Sequence, residues 1–162
     1  MLTNKKQNIH GYFLTLLLAM CLKVLPLPDY LSRLNPDWVL LILIYWTLAV
    51  PERMGVFNAW CVGIIVDVLT GRLLGQQALV YALVSYTCLK FHKRLRQYPL
   101  LQQSLFVFFS LLFAQVLIFW IERIDSTTEF TLIFWLPVLV GTVLWPMIYV
   151  VLRFIRILGQ TR

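Results

Sequence analysis

Charge is scarce in this chain of 162 residues: 14 Lys and Arg and 7 Asp and Glu make up 13% of it, against 60% hydrophobic residues. No phosphate-binding glycine loop, dinucleotide fingerprint or zinc-ligand spacing occurs anywhere in it, so the chain cannot hydrolyse a nucleotide by itself. It has only two histidines, His10 and His92, both near predicted helix ends, and no serine or cysteine stands at a spacing that suggests a nucleophile and base. Glu122 and Asp125 form an acid pair beside Arg123, which reads as a solvated acidic loop rather than catalytic carboxylates. Cysteine is sparse too. Cys21, Cys61 and Cys88 each lie alone in an apolar stretch, which fits neither a disulfide framework nor a metal site and suits small buried hydrophobes. Low-complexity segments and internal repeats are absent, and the breaks between apolar runs leave no room for a soluble domain.

What fills the chain instead is six long apolar runs: His10–Leu27, Trp38–Val50, Met54–Leu69, Gly75–Leu89, Leu100–Ile121 and Leu132–Leu152. A soluble domain of this size could not bury them all, whereas a bilayer core of about 30 Å takes about 20 apolar residues per helix. The expectation is an all-α polytopic membrane protein, a single integral membrane domain with helices at about 9–25, 36–51, 54–69, 76–91, 99–122 and 132–158. The Lys5-Lys6 start and the following apolar run mimic a signal peptide, but Met20 is too bulky for a cleavage site and the run continues past Cys21, so an uncleaved first helix is expected.

The breaks carry the topology. If all six runs span, Lys5, Lys6, Arg53, Lys90, Lys93, Arg94, Arg96, Arg153, Arg156 and Arg162 fall on one side, ten of the 14 basic residues. Lys23, Arg33, Arg72 and Arg123 fall toward the other, together with Asp29, Asp37, Glu122, Asp125 and Glu129. The positive-inside rule then places both termini and the basic 90–96 loop in the cytoplasm. The same charges favour contact with anionic membrane lipid, and no nucleic-acid partner is expected.

Local chemistry sets the helix ends. Pro26 and Pro28 stop the first helix. Asn35 reads as an N-cap, Pro36 as the first helical residue and Asp37 as an acid facing the positive helix terminus. The second helix is short, about 20 Å for its apolar part at about 1.5 Å per residue, so its ends reach into the headgroups or the bilayer thins around it. Ala59 and Gly63 form a small-residue pair for close helix approach, and Gly71 and Gly75 bound the next turn. Gln115 is a polar position on the fifth helix. Pro137 and Pro146 are candidate kinks in the sixth, and Gly141 is a site of close approach. Trp38, Trp120 and Trp135 mark one interface and Trp60 the other, while Trp46 and Trp145 lie deeper and suit packing or a groove.

Asp67 is the one acid well inside an apolar run. It costs a few kcal/mol there unless paired or hydrated, and its natural partners by depth are Lys23 and Arg72. Either it serves a polar cavity or a partner contact, or it is held internally by an ion pair or by capping the 70–75 turn. On the first reading Asp67→Ala inserts normally yet impairs function by altering an outward docking surface, and Lys23→Ala harms mainly while Asp67 is retained.

Asn35-Pro36-Asp37-Trp38-Val39-Leu40-Leu41-Ile42-Leu43-Ile44-Tyr45-Trp46 followed by Pro51, then Gly63, Asp67, Gly71 and Gly75, then Leu144-Trp145-Pro146, resembles the MreD family of rod shape-determining proteins, in its gammaproteobacterial form, over nearly the whole chain. The resemblance implies a non-enzymatic member of the bacterial inner-membrane elongasome, without cofactor. It also implies association with an MreC-like protein and, through it, a link between MreB filaments and the transpeptidase and glycosyltransferase of peptidoglycan synthesis. The fold it implies is similar to the six-helix substrate-binding components of energy-coupling-factor transporters. A vitamin-binding transporter subunit is therefore the alternative, although the first helix offers Ala19 alone among bulky residues as a face for a coupling subunit.

Overall fold

A computed structural model describes residues 3–125 and 131–158, and every regular element among them is helical. The helices are α1 (Thr3–Val24), α2 (Asp29–Ser32), α3 (Trp38–Ala49), α4 (Val56–Thr70), α5 (Gln76–Leu95), α6 (Leu100–Asp125) and α7 (Leu136–Leu158), the last entered through a 3-10 turn at Leu132–Trp135. Glu129 and Arg162, both part of the expected charge asymmetry, lie outside the described residues.

Several ends differ from the sequence expectation for local reasons. The segment after Pro28, which lies outside the expected helices, closes one helical turn, α2. Helix α3 starts at Trp38, and its N-cap is Asp37, whose side chain accepts the Leu40 amide at 3.2 Å. Asn35 is not the cap. Its Oδ1 accepts the Trp38 indole N–H at 2.6 Å, and Pro36 precedes the helix instead of opening it. Helix α5 runs to Leu95, beyond the expected residue 91, with His92, Lys93 and Arg94 in its last turn, where positive charge complements the carbonyl end of the helix. The predicted acidic loop is shorter at its start because α6 continues through Asp125. Pro137 sits in the first turn of α7, where its missing amide costs nothing, while Pro146 lies inside the helix.

Helix α3 is the axis of the bundle. Every residue from Val39 to Leu48 is buried, as expected of a helix that is apolar all round. It packs against α5, α1, α7 and α6; α4 lies along α5, and α6 along α7. This short apolar helix is thus sheathed by other helices. The outer helices show apolar side chains to their surroundings: Phe13, Leu14 and Leu17 on α1, Phe109 and Trp120 on α6, Val143 and Met147 on α7. Such an extent of exposed apolar surface marks a membrane-facing exterior. Leu100–Ile124 and Leu132–Leu158 are long and apolar enough to cross a bilayer, and Ile9–Val24, Trp38–Ala49 and Val56–Thr70 are shorter apolar helices. The chain is accordingly a membrane-associated helical protein. Its long helices alternate in direction, which gathers Arg96, Arg153 and Arg156 at one end and Lys23, Asp37, Arg72 and Glu122 at the other.

Candidate functional site

The polar residues singled out in the sequence meet at the second of these ends, in two clusters. The first is built on α4. Gly63 and Asp67 are one helical turn apart and share a face. A Cβ on Gly63 would lie 2.3 Å from Ala78 Cα and 2.5 Å from Ala78 N, so the first turn of α5 rests directly on the glycine. That contact brings Asp67 under the α5 N-terminus. Its Oδ1 accepts the Gln77 amide at 2.9 Å, and its Oδ2 accepts those of Gly75 at 2.9 Å and Ala78 at 3.4 Å. The residue is fully buried, at 0% exposure. A helix N-terminus presents unpaired amides and a positive dipole end, and a carboxylate answers both. Here the cap comes from the preceding helix. The turn between them requires glycine twice, at Gly71 (φ 64°) and Gly75 (φ 98°), both left-handed. Arg72 N donates to Asp67 O at 3.2 Å across this turn, which closes the end of α4.

This arrangement corrects the pairing expected from sequence. The Asp67 carboxylate pairs with neither the Lys23 nor the Arg72 side chain, and being buried it forms no docking surface. The alternative of an acid capping the turn is the one realised. The conditional effect expected for Lys23→Ala falls with the pairing on which it rested.

The second cluster joins α1, α3 and α5. Lys23 Nζ lies 3.0 Å from Asp37 Oδ2, with the two side chains only 15% and 19% exposed. Lys23 donates to the Tyr81 hydroxyl at 2.9 Å, and that hydroxyl lies 2.9 Å from each Asp37 oxygen. The ammonium also stands 5.5 Å from the Tyr81 ring centroid. Asp37 therefore caps α3 and neutralises Lys23 at once. Tyr81 was not legible as a site residue; a lone tyrosine in an apolar run carries no spacing signal that distinguishes it from core. Pro36 is buried beside this cluster, with its Cβ 3.4 Å from the position of a Gly141 Cβ.

The remaining candidates scatter. Arg72 pairs with Glu122 at 2.9 Å, the two side chains 42% and 29% exposed, and Gln76 Nε2 reaches the same Glu122 oxygen at 3.4 Å. Gln115 donates to the Phe134 carbonyl at 3.0 Å, tying α6 to the 3-10 turn. A void of about 20 Å³ lies beside Asp37 and Gln115, about the space of one water. Trp46 and Trp145 are both fully buried and serve packing rather than a groove. Trp46 stacks edge-on with Tyr12 at 5.9 Å and donates to Thr15 Oγ1 at 3.1 Å. Among the described residues no three His, Cys, Asp or Glu side chains come together as metal ligands would.

Both acids, Asp67 fully buried and Asp37 mostly so, thus have their oxygens occupied by amides, a lysine and a tyrosine of the same chain. Chemically the site is a clasp: it fixes the α4–α5 hairpin and locks α1, α3 and α5 together. Comparison with known proteins places such a bundle in a family. Residues 6–155 match the family model described as rod shape-determining protein MreD. A rod shape-determining protein MreD of Haemophilus influenzae is 32% identical over 139 residues, which is 86% of this chain and 86% of that protein. No solved structure matches. With the match running from α1 to the last turns of α7, the chain belongs to the MreD family of rod shape-determining proteins.

Proposed function

We propose that this chain is a non-enzymatic scaffold of the elongasome in the bacterial inner membrane. In this reading it crosses the bilayer six times with both termini in the cytoplasm. It binds an MreC-like protein and so links MreB filaments to the transpeptidase and glycosyltransferase that extend the lateral wall. The observation that carries the proposal is the family match over residues 6–155. Two features of the molecule support it. The basic residues gather at one end of helices that alternate in direction, in keeping with the positive-inside rule. The polar clasp uses its own acids internally, which suits a rigid adaptor more than a catalyst. The vitamin-transporter alternative gains nothing from this end of the bundle: the void beside Asp37 is about 20 Å³, against about 300–1,000 Å³ for small-molecule sites.

Complementation of a strain depleted of its own MreD-family protein tests the role. Expression of this chain should restore rod shape; round cells at normal protein abundance would refute it. Reporter fusions after Arg96 and after Asp125 should report cytoplasm and periplasm respectively, and the reverse or a common side would overturn the topology.

A further inference from the structure

At the basic end of the bundle the helix termini part around a cavity of about 310 Å³, bounded by Tyr45 of α3, Arg96 after α5, Gln103 of α6, and Tyr149, Arg153 and Arg156 of α7. This is within the range of small-molecule sites, about 300–1,000 Å³. Three guanidinium groups line it, and among the described residues no carboxylate does. Both ion pairs found among the described residues involve other cations.

A second observation is independent of the charge. The Tyr45 hydroxyl, Gln103 Oε1 and Arg156 Nε are all buried atoms without a hydrogen-bond partner. Tyr45 is 2% exposed and Gln103 5%. Buried polar atoms are nearly always satisfied, so three orphans around one cavity point to a missing occupant. The orientation of Gln103 is not arbitrary. Its Nε2 donates to the carbonyls of Leu95 at 2.9 Å and Tyr98 at 3.2 Å, which leaves Oε1 as a fixed acceptor. The Tyr45 and Tyr149 rings, 5.5 Å apart and edge-on, form a firm wall.

We propose that this cavity binds a phosphate ester that also carries a hydroxyl. Arg153, Arg156 and Arg96 take the phosphate oxygens, since guanidinium groups match that geometry with paired N–H donors. The Tyr45 hydroxyl donates to the same anion, and Gln103 Oε1 accepts the hydroxyl of the ester. A zwitterionic headgroup would bring a cation among three arginines and is disfavoured. The ligand chemistry has two sources, the headgroup of a hydroxylated anionic phospholipid or a free phosphorylated polyol. A basic pocket between helix ends at headgroup depth favours the lipid; that preference rests on the membrane-spanning reading above, whereas binding of the free ester does not.

The test uses the purified full chain in phosphatidylcholine nanodiscs, titrated separately with short-chain phosphatidylglycerol, glycerol 3-phosphate and inorganic phosphate, with native mass spectrometry for stoichiometry. One phosphatidylglycerol should bind saturably per chain. Arg153→Gln with Arg156→Gln should weaken it by about tenfold or more, as loss of charged hydrogen bonds does. Lys90→Gln with Lys93→Gln, an equal loss of charge on exposed residues outside the cavity, should change it less than about twofold. Tyr45→Phe deletes one hydroxyl, keeps the wall and should weaken binding several-fold, so it serves if the arginine variant fails to fold. Glycerol 3-phosphate binding as tightly, with the same variant sensitivity, supports the site and assigns the free-ester source. Equal losses in the two double variants would reduce the effect to diffuse surface attraction and overturn the proposal, as would the absence of saturable binding by any of the three probes.

Discussion

Asp67→Ala removes a carboxylate that holds the amides of Gly75, Gln77 and Ala78. Gly75 lies in the turn, half-buried, and its amide can turn to water. Gln77 and Ala78 are 2% and 0% exposed and cannot. Each stranded buried donor costs about 1–3 kcal/mol, and the Ala78 bond, at 3.4 Å, belongs at the low end of that range. Loss of the charge at the α5 N-terminus adds about 0.3–1 kcal/mol. The expected destabilisation is therefore about 2–5 kcal/mol, a large share of the roughly 5–15 kcal/mol typical of a folded domain. Asp67→Asn keeps one acceptor oxygen but turns an amide group toward an N–H, so it should lose about 1–3 kcal/mol. Reversible unfolding in mixed detergent micelles measures both, and hydrogen exchange at the Gln77 and Ala78 amides reports the mechanism directly. Protection should fall there first. An Asp67→Ala protein within about 0.5 kcal/mol of the parent, with those amides still protected, would refute the cap. Normal stability with loss of rod shape would return Asp67 to a partner-contact role that its burial argues against.

Gly63→Ala places a methyl group against the α5 backbone and should cost about 1–3 kcal/mol or more, because backbone cannot move aside as a side chain can; the same unfolding assay reads it. Lys23→Met and Asp37→Asn should each destabilise the protein. A double-mutant cycle should return a coupling of about 1–3 kcal/mol, since each single change strands the other half of a mostly buried pair. A cycle of Lys23 with Asp67 should return a coupling near zero. Arg72→Ala, which breaks a half-exposed pair, should shift stability by no more than about 1 kcal/mol.

The six apolar runs, the stops at Pro26 and Pro28 and the charge asymmetry were open to inspection because each depends only on residues close in sequence and on the solvent. The same holds for the hairpin device: Gly63, Asp67, Gly71 and Gly75 stood out together because turn geometry and helical spacing act locally. The partners of the charged groups were decided elsewhere. Lys23 and two acids lie at similar depth, and nothing in the sequence ranks the acids. Packing ranks them. Gly63 lets α5 sit on α4, so the α5 amides reach Asp67 before any cation does. Central α3 holds Asp37 between α1 and α5, where Lys23 and Tyr81 meet it across 14 and 44 positions of sequence. Likewise Arg96, Arg153 and Arg156 read as topology signals one by one; only the convergence of α3, α5, α6 and α7 makes them the wall of one cavity. Composition fixes which stretches become apolar helices, but which of their residues face inward and touch depends on helix order and axial register, and those are set by close packing across the whole bundle.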